Sequence, residues 1–241
     1  MRTEILLAGN HEKLPEYLHN FFELDETRLE VLKERIKKFD GLVRLFVHPY
    51  FITADEEEDG FSQQKLNAIN RAINILATND PAKVPPLMIM EGQEKLPVLA
   101  ENIQEFNSEF LSGHPKFRDV YIIPTRAGNS PEPAPVNKID IKPSANDDGD
   151  IREYESDANW SVLTAKLKQL GVKKILIGGM LMEAVKMTDD GKLKGVGCVG
   201  ATIRHLQDDF KVELSNLSYS RAEWDEDVRD NRRKFQQELK R

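Results

Sequence analysis

Apolar positions along the chain alternate between two periods, and the alternation predicts the elements. From Thr27 to Phe39, residues Leu29, Leu32, Ile36 and Phe39 recur at helical spacing and form one stripe. Leu42 to His48 is a nearly continuous apolar run, as a strand covered on both faces of a parallel sheet requires, and Pro49 ends it. Ser62 caps a helix carrying Leu66, Ile69, Ile73 and Leu76. Pro85 and Pro86 introduce a strand at Leu87 to Met90, a helix follows from about Glu94 to Leu111, and Val120 to Ile123 is a third short strand. Asn159 to Leu170 is a helix with Trp160, Leu163, Leu167 and Leu170 facing inward, stopped by Gly171. Val172 to Ile177 is the most strand-like run in the chain. A helix over Cys198 to Asp209 and a strand at Val212 to Leu217 come next, and a helix from Arg221 to Lys240 aligns Trp224, Val228, Phe235 and Leu239. Glu4 to Ala8 has the makings of an extra strand.

Strands alternating with helices predict an α/β fold: a doubly wound, mostly parallel sheet with helices on both faces, a three-layer, Rossmann-like α/β/α arrangement. Residues 1–40 read as an extension packed on a main domain at 41–241. That domain carries inserts at 124–157 and 180–196. The first insert is rich in proline and glycine (Gly128, Pro131, Pro133, Pro135, Pro143), interrupted by a short strand at Lys138 to Ile141, and is either a functional loop or a surface decoration. In the second, Asp189-Asp190-Gly191-Lys192 is a hairpin turn signal. Ligands of such sheets bind beyond the carboxyl ends of the strands. The residues there are His48 to Phe51, including Tyr50; Glu91 to Gln93; Pro124 to Arg126; Lys142; Gly178 to Met180; and Asn216 to Ser220.

Composition narrows the function classes. A formal charge of −7 opposes binding of nucleic acid, which needs a basic face. No stretch approaches the ~18 uninterrupted apolar residues of a membrane span. Met1 to Asn10 has no small-residue cleavage site, so a secretory signal is not expected there. One cysteine makes neither an internal disulfide nor a metal cluster, and the five histidines lack metal-ligand spacing, so no metal or cofactor is expected. The expectation is a cytoplasmic protein acting on a small molecule. Phe21, Phe22 and Trp224 need cover, which either homo-oligomer formation or packing of the amino-terminal segment over the sheet provides.

Cys198 is the sharpest chemical candidate. It opens a helix in the run Gly197-Cys198-Val199-Gly200-Ala201-Thr202, where unpaired amides and the helix dipole favour a thiolate. Gly197 lets a substrate carbonyl approach the backbone, and the amides of the turn are suited to an oxyanion. A small cysteine packed into a helix start is the structural alternative.

The stretch from Leu170 to Ser220 resembles the carboxyl-terminal half of the isochorismatase-like cysteine hydrolases, which include nicotinamidases. The resemblance rests on Leu170-Gly171-Val172, the apolar strand ending in Gly178 and Gly179, the run Cys198-Val199-Gly200-Ala201-Thr202, and Phe210 to Leu214. It implies attack by Cys198 on an amide-like C–N bond, with a lysine after a core strand supplying positive charge; Lys142-Pro143 matches that feature. Two departures are plain. The family's short connection between strand and cysteine is replaced by Met180 to Val196. Where its first strand carries an aspartate, this chain has Phe46, leaving His48 or Glu91 as the substitute base. Catalytic roles thus fall to Cys198, Lys142 and His48, and substrate contacts to Glu91, Tyr50, Gly178, Gly179 and Gly197. A relative that keeps the fold and binds a small molecule or a protein partner without catalysis is the alternative.

Overall fold

The computed structural model describes residues 18–48, 79–92, 119–127, 137–141, 157–179, 183–187 and 191–215. The expected strand at 4–8, the helices expected at 62–76, 94–111 and 221–240, and the residues Tyr50, Lys142 and Trp224 lie outside them.

Seven parallel strands form one sheet: β1 (Leu18–Asn20), β2 (Leu42–Val47), β3 (Leu87–Gly92), β4 (Val120–Ala127), β5 (Ile139–Ile141), β6 (Lys174–Gly179) and β9 (Lys211–Leu214). Their order across the sheet is β1-β4-β3-β2-β6-β9, and β5 shares the outer edge of β4 with β1. β1 pairs with Val120 to Ile122, and β5 pairs with Thr125 to Ala127. A separate antiparallel ribbon joins β7 (Glu183–Met187) to β8 (Leu193–Val196), as the turn signal before Lys192 predicts. Three helices complete the described chain: α1 (Glu26–Lys38), α2 (Asp157–Gln169) and α3 (Gly197–Leu206). Among the described residues, no helix is long and apolar enough to cross a membrane.

Local chemistry accounts for the helix ends. Asp25 caps α1 by accepting from the Arg28 amide at 2.8 Å. At the end of α2, Gly171 turns left-handed and the Val172 amide returns to the Leu167 carbonyl at 3.1 Å, closing the last turn.

The steps β1→β2, β5→β6 and β6→β9 all run the same way along the sheet. Right-handed crossovers therefore put α1, α2 and α3 on one face. One apolar cluster confirms the placement: Val43, Leu45, Val47, Met88, Met90, Tyr121, Ile123, Ile175 and Ile177 pack with Leu32 and Ile36 of α1, Leu163 and Leu167 of α2, and Val199 and Ile203 of α3. The alternate residues Phe46, Ile89 and Ile122 are also buried, so both faces of the sheet are covered. This is the expected doubly wound α/β fold. The steps β2→β3→β4 run the other way, so the winding reverses between β2 and β6. That reversal is the topological switch point, where the ends of neighbouring strands diverge and leave a crevice.

Two expectations are corrected. The third core strand does not stop at Ile123; β4 continues through Pro124 to Ala127. A proline is tolerated there because Pro124 falls between the stretches that pair with β1 and β5, at the outer edge of the strand. Phe21 is not an exposed apolar residue. It is fully buried in a single 3-10 turn that packs, with Phe22, onto the cluster, and Lys166 of α2 donates to the Phe21 carbonyl at 2.7 Å. These two phenylalanines are thus covered within one chain, and they give no argument for an oligomer.

Candidate functional site

The carboxyl edge of the sheet carries the described candidates, and Cys198 and Gly179 meet there at the start of α3. The helix packs against β2, β5 and β6, and β8 runs into it without a break. The segment between β6 and the cysteine is therefore a ribbon that delivers the chain to the start of α3.

Gly179 fixes how closely the helix approaches. A Cβ at this position would stand 2.3 Å from the Val47 carbonyl oxygen and 2.7 Å from Val199 Cγ2. Both are far inside ordinary contact distance, so the end of β2, the end of β6 and the first turn of α3 meet only because residue 179 has no side chain. Val47 and Gly179 are partners in the β2–β6 register, and Val199 directly follows Cys198. Cys198 is thereby seated beside the ends of the two strands that define the switch point.

The Cys198 side chain is buried, at 2% exposure, on the apolar cluster. Four residues on, the buried Thr202 hydroxyl donates to the Cys198 carbonyl at 2.8 Å, which explains how a hydroxyl is accommodated inside an apolar helix face.

His48 follows the last residue of β2. Its amide continues the ladder to the Met90 carbonyl at 2.7 Å, but its φ of 48° is left-handed, a conformation uncommon outside glycine and concentrated at functional sites. The ring is buried, and Nε2 lies 3.0 Å from the Thr125 hydroxyl oxygen. Thr125 is on β4, two strands away, roughly 9–10 Å at the usual interstrand spacing. The imidazole therefore lies over the end of β3, where the partner of Thr125 is Gly92, which has no side chain to obstruct it. Thr125 shares its face with Tyr121 and Ile123, the face that carries α3.

Alternation along the strands separates the other candidates. Gly179 is on the α3 face with Ile175 and Ile177. Gly178 is on the opposite face, paired with the buried Phe46, which stands where the resembled family has its aspartate. Glu91 alternates with Met90 and so also belongs to the opposite face. It is buried, and its Oε1 accepts from the Gly92 amide at 3.0 Å. Of the two substitute bases, His48 is thus on the cysteine's side of the sheet and Glu91 is not. Lys142 and Tyr50 are outside the described residues, but β5, which Lys142 follows in sequence, packs on α3.

Thr125 lies in the Pro124 to Arg126 stretch expected just beyond a strand end, but it stands within β4, and its role as the partner of His48 was not legible because Pro124 reads as the end of that strand. A proline at a strand edge, rather than after it, is the signal that marks it.

Comparison with protein-family models gives no match, and no curated protein is significantly similar to the chain.

Proposed function

We propose that the protein is a cysteine-dependent hydrolase that opens an amide-like C–N bond of a small molecule, in the manner of the isochorismatase-like enzymes its sequence resembles. One observation carries the reading. The helix that begins at Cys198 packs against β2, β5 and β6, which lead in sequence to His48, Lys142 and Gly179. In this scheme His48 takes the thiol proton, and Thr125 orients the imidazole. The thiolate attacks the carbonyl carbon, and amides at the start of α3 receive the developing oxyanion, with Lys142 supplying positive charge. As the C–N bond breaks, His48 returns the proton to the departing amine, and water then releases the acyl group from sulfur as a carboxylate.

The burial of Cys198 favours a second reading, in which the crevice binds a ligand and the thiol only packs the helix start. A panel of small primary and secondary amides separates them. Release of amine by the wild type and none by Cys198→Ser supports the hydrolase. Release that persists in Cys198→Ser sinks it, as does a native thiol that iodoacetamide reaches only after unfolding.

A further inference from the structure

β1 is three residues long, and the chain leaves it through the single turn that carries Phe21 and Phe22. Leu18, Phe21 and Leu24 are buried, so this segment covers part of the apolar cluster although its ladder to β4 spans three residues. So short an edge strand is the kind of element that opens locally while the rest of a fold stays closed. Lys166 of α2, 145 residues away in sequence, ties it down. Its Nζ donates to the Phe21 carbonyl at 2.7 Å, and the same atom stands 5.0 Å from the centre of the Phe21 ring and 5.5 Å from that of Phe22. The two rings meet edge to face at 5.6 Å, so one ammonium is within cation–π range of both.

Lys166 is half-buried, burial holds its pKa below the ordinary lysine value, and among the described residues no carboxylate pairs with it. The groups that offset the cost of burying this charge therefore belong to the amino-terminal segment. Each of those contacts needs the positive charge, because ring faces attract a cation through their quadrupole and a charged donor makes a stronger hydrogen bond than a neutral one. We propose that Lys166 is a charge-dependent clasp, and that acylation of its amine undocks Leu18 to Leu24 from the sheet. An acyl thioester supplies the group: the Nζ–C bond forms, the C–S bond breaks, the thiol leaves with one ammonium proton, and a second proton goes to solvent. The resulting amide is neutral, has lost the attraction of both rings, and carries an added acyl group beside the buried Phe21. Undocking bares the outer edge of β4 from Val120 to Ile122, where β1 pairs. The clasp stands apart from the chemistry of Cys198 and does not rest on the hydrolase reading.

Hydrogen exchange of the full chain, read by mass spectrometry, tests the clasp. Lys166→Gln imitates the acylated side chain, and Lys166→Arg keeps the charge. Loss of a charged hydrogen bond and two ring contacts should speed exchange of the amides from Leu18 to Leu24 by about 10- to 100-fold in Lys166→Gln, with those of β2 and β6 unchanged. Lys166→Arg should keep most of the wild-type protection. Unchanged protection of the segment in Lys166→Gln overturns the clasp, as does an equal loss in Lys166→Arg. Faster exchange spread evenly over β2 and β6 also overturns it, because the lysine would then serve the stability of the whole fold.

Discussion

Replacing Gly179 with alanine tests the seating of the cysteine helix directly. The added methyl would lie 2.3 Å from the Val47 carbonyl oxygen, 2.7 Å from Val199 Cγ2 and 3.1 Å from the Val47 carbonyl carbon. Comfortable separations are about 3.5–4.0 Å, so β2 and α3 would have to part by roughly 1 Å. The obstacle is backbone paired within the sheet, which cannot rotate aside as a flexible side chain does. Overpacking of this kind costs about 1–3 kcal/mol and occasionally more, and the rigid neighbours place this case at about 3 kcal/mol. For a chain of this size that corresponds to a fall of roughly 6–12 °C in melting temperature. Gly171→Ala is the control. Its φ is +80°, but nothing lies within 4 Å of the new Cβ, so only the left-handed strain of about 1–2 kcal/mol applies. Urea unfolding followed by circular dichroism gives both values. If Gly179→Ala is no more costly than Gly171→Ala, the tight junction of β2, β6 and α3 is wrong, and the reason for placing Cys198 at the switch point goes with it.

Three further outcomes are expected. Phe21→Ala should destabilise the chain by about 3–5 kcal/mol in urea unfolding, because the ring is fully buried; a loss below about 1 kcal/mol would mean the amino-terminal segment is loosely attached. Thr125→Val keeps the shape but removes the hydroxyl partner of His48, and should cost about 1–3 kcal/mol in the same assay; a neutral effect would argue against the bond across β3. Burial first, and then the Arg28 charge, hold the His19 pKa below its usual 6.5 despite Asp119, so the folded state resists protonation there. The contribution of His19 is therefore present above pH 6.5 and is lost as pH falls below it; His19→Gln should flatten that part of the stability profile, and an unchanged slope would refute the assignment.

The elements that were legible in the sequence are those whose side chains repeat. Leu32 and Ile36 give α1, Trp160, Leu163 and Leu167 give α2, and the continuous apolar runs give β2, β3 and β6, because burial on one stripe or on both faces leaves a period in the sequence. The parallel, doubly wound class followed from the alternation of elements, but the order of the strands did not. The placement of Cys198, His48 and Gly179 at the carboxyl ends of strands or the start of a following helix was legible because those positions follow from the order of the elements. What escaped depends on contacts between distant positions. Arg44 interrupts an apolar strand and finds its partner in Asn79, 35 residues on, which no local pattern announces. The left-handed turn at His48 carries the imidazole across β3 to Thr125, a reach set by backbone geometry rather than by residue type. Strand alternation likewise decides between His48 and Glu91, and it requires the register to be known.

The central claim is that the switch point activates Cys198 through His48. Its most direct test is the pH dependence of iodoacetamide alkylation of Cys198 under native conditions, in the wild type and in His48→Asn, a residue that tolerates the left-handed turn. The account predicts an apparent thiol pKa in the wild type below the ~8.5 of an ordinary cysteine, and a return toward that value in the variant. Alkylation that follows the rate of unfolding, with the same pH profile in both proteins, would contradict it.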